Sequence, residues 1–212
     1  MPNRQATIAA IDNIFNAQSL AVVGVSSNPL KDGYTTLDTI IKGGYKGKLY
    51  PVNPRGGEIC GVKVYASLES IPDNLDTVVI IVRADIVPRI MEQAAMKGAK
   101  GAIILSGGFR ESGRKDLEDE ILAVSKKHQM RVIGPNIQGI NYPPNRLCAM
   151  MFPVIKTQGP LAVISQIEST MLKPAPRRRA TTGKHLQKSI SPASPLPQAP
   201  NIPVCSWPGT RP

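Results

Sequence analysis

Leu20-Ala-Val-Val-Gly-Val-Ser-Ser-Asn-Pro29, followed by Gly33, is the stretch that decides the fold. A run of strand-forming residues ends at Gly24, and two hydroxyls, an asparagine and a proline precede an amphipathic segment. This is the pattern of a buried strand, a tight loop with free backbone N–H groups, and a helix whose N-terminus can face a phosphate.

Upstream, residues 1–18 form a polar lead-in whose apolar turn, Ile8 to Phe15, predicts a helix packed on the sheet edge. The first strand is expected at about Leu20 to Val25. Downstream, Tyr34, Leu37, Ile40 and Ile41 recur at helical spacing until Gly43-Gly44 stops the helix. Lys48 to Val52 reads as a second strand, Val62 to Tyr65 as a small strand or loop, and Leu68 to Ile71 as a single turn. Asp76 to Val82 is apolar without alternation, as a sheet covered on both faces requires. Asp85 is placed to cap the next helix, with Pro88 near its start and Gly98 at its end. The cycle repeats with a strand from Gly101 to Leu105, a helix from about Arg114 to Lys127 and a strand from Arg131 to Ile133. Leu161 to Ile164 offers a last strand. Repeated strand–helix units predict an α/β, Rossmann-like, doubly wound and mostly parallel sheet over residues 19–166.

From Ile167 the pattern breaks. Nine prolines in forty-six residues, the run Arg177-Arg178-Arg179 and two Ser-Pro pairs predict a disordered, basic, Pro-rich C-terminal tail over 167–212. That tail holds seven Lys or Arg against one acid, so the first 166 residues carry only +5 of the total charge of +11. Such a balance favours an anionic ligand without indicating nucleic acid. No apolar run approaches the roughly 20 residues of a membrane span. No signal peptide is recognised, and three widely spaced cysteines suggest neither a disulfide framework nor zinc. The expectation is a cytoplasmic protein with no metal site.

Ligands of open parallel sheets bind beyond the carboxyl ends of the strands. The loops there are Gly24 to Asn28, Asn53 to Gly57, Val82 to Asp85, Ser106 to Phe109 and Gly134 to Asn136. They are rich in Gly, Ser and Asn, which suits phosphates or an amide-rich ligand. Ser26, Ser27 and Lys31 are candidates for pyrophosphate contact, and Arg55 for a 2′- or 3′-phosphate. A nicotinamide dinucleotide fits poorly: G-x-G-x-x-G is absent, and Asn53 stands where a ribose-binding acid belongs. Cys148 reads as apolar filling, His128 as a helix-end cation, and Glu111 and Asp116 as helix-start or surface carboxylates. No catalytic constellation is found.

Four ordered motifs carry a resemblance: Ala21 to Pro29, Gly43 to Pro54, Ile103 to Phe109, and Val132 to Asn136 with Gly139. Together they resemble the CoA-binding domain of the nucleoside-diphosphate-forming acyl-CoA synthetases. These are the ADP-forming acetate–CoA ligases, relatives of the succinyl-CoA synthetase alpha subunit. The resemblance covers about residues 10–166. It implies a Rossmann-like domain that binds CoA or acyl-CoA, with Gly24, Ser26, Ser27 and Asn28 near the phosphates. Arg55 falls where the family often has a basic residue, while Leu105, Ser106 and Gly107 match the loop beside the pantetheine arm. Asn136, in the last mouth loop, completes the candidate set. ATP and Mg are implied only for the complete enzyme, and a ligase subunit is the implied protein partner.

Two departures from the family stand out. After Ile164-Ser-Gln166 the family has a Ser-Gly-type turn opening a second domain, but here Ile167-Glu-Ser-Thr170 follows. The phosphorylated histidine and the ATP-grasp portion of the family have no counterpart in this sequence, as a frame shift or truncation after about residue 166 would produce. Ile137 replaces the family's usual cysteine. The resemblance therefore implies the CoA-binding portion of such a ligase, inactive alone. The alternatives are the front domain of a protein lysine acetyltransferase, a stand-alone ligand-binding module and, least favoured, a nicotinamide-dependent oxidoreductase.

Overall fold

The computed structural model describes residues 4–152. The expected strand at Leu161 to Ile164 and the tail from Ile167 lie outside the described residues. Helix α1 (Arg4–Phe15) leads into β1 (Ser19–Val23), α2 (Asp32–Gly43) and β2 (Lys48–Val52). A hairpin of β3 (Gly57–Ile59) and β4 (Val62–Val64) follows, then β5 (Thr77–Ile80), α3 (Val87–Met96), β6 (Gly101–Ile104), α4 (Lys115–His128) and β7 (Arg131–Ile133). A second hairpin, β8 (Gly139–Tyr142) and β9 (Leu147–Met150), ends the described chain.

The main sheet is parallel, with strand order β2-β1-β5-β6-β7. The chain goes outward from β1 to β2, then crosses back to β5 on the other side of β1. That reversal puts the switch point between β1 and β5. Residues alternate between two cores, as strand periodicity demands. Ala21, Val23, Val78, Ile80, Ala102 and Ile104 pack with α3 and α4, while Leu20, Val22, Val79 and Ile103 pack with Ile14 of α1 and with Leu37 and Ile40 of α2.

The parallel α/β architecture is as expected, and β2 and β7 match the predicted bounds. Two local expectations are corrected. β1 stops at Val23 rather than Val25, because Gly24 turns the backbone to φ +99°. Asp85 caps no helix: it lies in a short 3-10 turn and its carboxylate pairs with Arg83 at 2.6 Å, so Ile86 is the residue preceding α3. The stretch after Asn136, to which the sequence assigns no element, forms the hairpin of β8 and β9, laid on α2. There the Thr39 hydroxyl donates to the Met150 carbonyl at 2.7 Å, with that of Cys148 at 3.1 Å. Gly43 lets the strand come this close, since a Cβ there would be 3.1 Å from the Arg146 carbonyl oxygen.

Two clasps hold the end of the sheet away from the mouth. The Asp76 carboxylate accepts the Gln18 and Ser19 N–H groups at 2.8 and 2.9 Å, and the Ser19 hydroxyl oxygen accepts the Asp76 N–H. On the outer flank, the Glu92 carboxylate of α3 takes Lys127 and His128 of α4 at 3.0 and 2.6 Å. His128 sits in the last turn of α4 beside Lys126 and Lys127, whose charges complement the helix dipole. Among the described residues no helix is long and apolar enough to cross a membrane.

Candidate functional site

The carboxyl ends of all five parallel strands share one rim, so the loops after β1, β2, β5, β6 and β7 meet there. Gly24 begins the first of them. Its N–H donates to the Val52 carbonyl at 3.0 Å and so belongs to the sheet, not to a ligand. What the position requires is the missing side chain: a Cβ would lie 1.9 Å from the Ile81 carbonyl oxygen. The loop after β1 therefore rests on the chain leaving β5, at the switch point. Gly33 repeats the device, since its Cβ would lie 2.1 Å from the Gly24 carbonyl oxygen. The first turn of α2 sits on the loop backbone, which brings a helix N-terminus to the rim.

Between these glycines the loop is self-braced. The Ser26 hydroxyl oxygen accepts the Asn28 N–H at 3.1 Å. The Asn28 side-chain oxygen accepts the Leu30 N–H at 2.9 Å, and its carbonyl accepts the Lys31 N–H at 3.0 Å. Asn28 thus shapes the turn, as asparagine does in Asx-turns. Ser26 is half-buried, whereas Ser27, Asn28, Leu30 and Lys31 are exposed along the rim.

Asn53 ties the second loop to the first. Its amide nitrogen donates to the Val25 carbonyl at 2.7 Å, and its side-chain oxygen accepts the Arg55 N–H at 2.9 Å. An acid here would lose the donor and set two oxygens against each other. Arg55, two residues on, is exposed and has no ion-pair partner among the described residues. The β3–β4 hairpin flanks it, fixed to β2 where the Tyr65 N–H donates to the Pro51 carbonyl at 2.8 Å.

Across the mouth, the side chains of Leu105 and Ser106 are buried, and the Ser106 hydroxyl oxygen accepts the Val82 N–H at 3.0 Å. Ser106 thus links the loops after β5 and β6 rather than pointing at solvent. Its carbonyl accepts the Asn136 N–H at 2.9 Å, which draws the loop after β7 against that after β6. Asn136 adopts φ +55°, and a side chain added at Gly107 would meet its Oδ1 at 3.0 Å. Gly107 and Asn136 therefore face each other at the exposed lip.

One functional candidate escaped the sequence reading. Glu111 folds back so that its Oε1 accepts the N–H groups of Gly108 and Phe109 at 2.6 and 3.1 Å. Burial pushes this carboxyl up, but N–H donors from Gly108, Phe109 and its own backbone outweigh it and hold it below the usual glutamate value. The available signal was spacing: a glutamate three residues after a glycine can reach back to its N–H, as in a capping box.

The nine proposed residues thus fall in two groups on one rim: Gly24, Ser26, Ser27, Asn28 and Arg55 around β1 and β2, and Leu105, Ser106, Gly107 and Asn136 around β6 and β7. Among the described residues no group of three or more His, Cys, Asp or Glu side chains is placed to hold a metal.

A family model described as a CoA binding domain matches residues 18–143. The alpha subunit of an ADP-forming acetate–CoA ligase I from Pyrococcus furiosus is 43% identical over 163 residues, which is 74% of this chain and 35% of that one. An ADP-forming acetate–CoA ligase II from Archaeoglobus fulgidus is 40% identical, over 76% of this chain and 24% of its own length. Among solved structures, the dinucleotide-forming acetyl-coenzyme A synthetase 1 of Ca. Korarchaeum cryptofilum, in complex with phosphate and ADP, superposes with a TM-score of 0.63 at 38% identity. That match covers 66% of this chain and 30% of the other. The chain spans about a third or less of the length of these relatives. Sheet order, rim loops and sequence agree, and the chain belongs to the CoA-binding domain family.

Proposed function

We propose that this chain is the CoA-binding module of an ADP-forming acyl-CoA synthetase, with the module spanning residues 19–166. CoA or acyl-CoA lies across the rim, its phosphates toward the loop after β1 and its pantetheine arm toward the lip after β6. The observation that carries this reading is the Asn53 brace. Where a dinucleotide fold offers a ribose-binding acid, this chain spends an amide on the Val25 carbonyl and leaves Arg55 as the exposed cation beside it. The residues present suit the ligand: Gly33 clears space for a helix N-terminus beside the phosphates, and the β6 lip offers narrow, glycine-lined polar surface to a neutral amide chain. In the complete ligase, acid, ATP and CoA would give acyl-CoA, ADP and phosphate, with ATP and Mg handled by other portions or by a partner subunit.

Calorimetry of the chain against CoA, dephospho-CoA and NAD tests the reading. CoA is expected to bind more tightly than NAD, and equal or stronger NAD binding would reject it. The same preparation, given acid, CoA and ATP, is expected to release no acid-dependent ADP.

Arg55 is assigned to the 3′-phosphate. Its replacement by alanine is expected to weaken CoA by about 1–3 kcal/mol, since a charge-assisted contact at an exposed site exchanges with water. Dephospho-CoA should bind the variant as it binds the wild type. Equal losses for both ligands would remove Arg55 from that role.

A further inference from the structure

The lip after β6 is built by one exposed carboxylate. Gly108 adopts φ +101°, so its N–H and that of Phe109 point to the same side. Two adjacent N–H groups of this kind make an anion-binding concavity. Here the anion is internal, because Glu111 Oε1 fills the concavity from three residues downstream. The same oxygen lies 3.4 Å from where a side chain at Gly107 would begin, opposite Asn136 Oδ1 at 3.0 Å. Behind the lip, Phe109 is fully buried and its carbonyl accepts the Ser112 and Arg114 N–H groups. Glu118 of α4 takes Arg110 at 2.9 Å, so the turn carrying Glu111 is itself held in place.

We infer that Glu111 is a positioning residue for the pantetheine arm of CoA: by taking the Gly108 and Phe109 N–H groups it fixes the Gly107 lip and closes that half of the mouth to phosphate. The two halves of the rim then differ in chemistry. The loop after β1 presents a helix N-terminus and Arg55 to anions, while the lip after β6 presents acceptor oxygens from Glu111 and Asn136. A neutral chain with amide N–H groups suits the second half, and a phosphate does not. This inference rests on the CoA reading above.

The test is calorimetry on the full 212-residue chain with two ligands, CoA and adenosine 3′,5′-bisphosphate, which lacks the pantetheine arm. Glu111→Ala removes the acceptor, and Glu111→Asp keeps the charge but is one methylene too short to reach the Gly108 N–H. Both are expected to weaken CoA about tenfold, as loss of a charge-assisted hydrogen bond does, and to change the bisphosphate by less than about twofold. Glu111→Gln keeps an acceptor oxygen and should restore CoA affinity to within about threefold of wild type. A general loss of folding would weaken both ligands alike, and that result in Glu111→Asp, or CoA affinity unchanged in both shortened variants, overturns the inference alone. A wild-type chain with no affinity for CoA would remove the binding reading and the inference with it.

Discussion

Alanine at position 24 is expected to lower the unfolding free energy by about 3–5 kcal/mol and to abolish CoA binding, the sum of a backbone and a packing cost. The backbone cost follows from φ +99°, a conformation that L-residues avoid. The packing cost is the larger, because the new Cβ would sit 1.9 Å from the Ile81 carbonyl oxygen. That carbonyl cannot easily retreat: the Ile81 N–H donates to the Val23 carbonyl at 2.9 Å, so moving it breaks the ladder between β1 and β5. Gly61, in the β3–β4 turn, has φ +75° and nothing within 4 Å of its missing Cβ. Gly61→Ala therefore isolates the backbone part, about 1–2 kcal/mol. Urea titration of both variants decides the matter. If Gly24→Ala loses no more than Gly61→Ala, the loops after β1 and β5 are not packed as described.

Gly24 also shows what the sequence could and could not reveal. Its place after an apolar run marked the end of a strand, and the apolar runs of β5 and β6 announced the parallel sheet, because burial on both faces leaves no polar alternation. The use of its N–H was not legible: it pairs with Val52, a contact between residues 28 apart that depends on strand order. Asn53 was recognised as the wrong residue for a dinucleotide, yet its bond to the Val25 carbonyl appears only once β1 and β2 lie side by side.

The hairpin of β8 and β9 was missed for a different reason. Leu147 to Phe152 is a six-residue apolar run without alternation, which periodicity alone does not assign to strand or helix, and Pro143-Pro144 shortly before it reads as a break. Its stability comes from elsewhere, through α2 and the Thr39 hydroxyl. Glu111 was hidden by chemistry rather than by pattern. A glutamate shortly before a helix ordinarily serves that helix, and here it serves the loop behind it.

That loop depends on Phe109, which supplies the second large effect. Phe109 is fully buried in the core shared with α3 and α4, among neighbours that include Ile104, Val87 and Leu117. Truncation to alanine leaves a ring-sized cavity that β6 and α4 cannot both close, and should cost about 3–5 kcal/mol. Phe109→Leu refills most of the volume and should cost less than about 1.5 kcal/mol. The functional consequence separates Phe109 from an ordinary core residue. Its N–H goes to Glu111, and its carbonyl takes the Arg114 N–H at 2.8 Å just before α4. Losing the ring frees the segment that holds Gly107 and Gly108 at the lip. At temperatures where Phe109→Ala remains folded, CoA affinity should therefore fall while adenosine 3′,5′-bisphosphate affinity holds. Denaturant titration beside calorimetry with both ligands checks the two parts separately. A fully folded Phe109→Ala chain with wild-type CoA affinity would show that the lip holds its shape without its anchor.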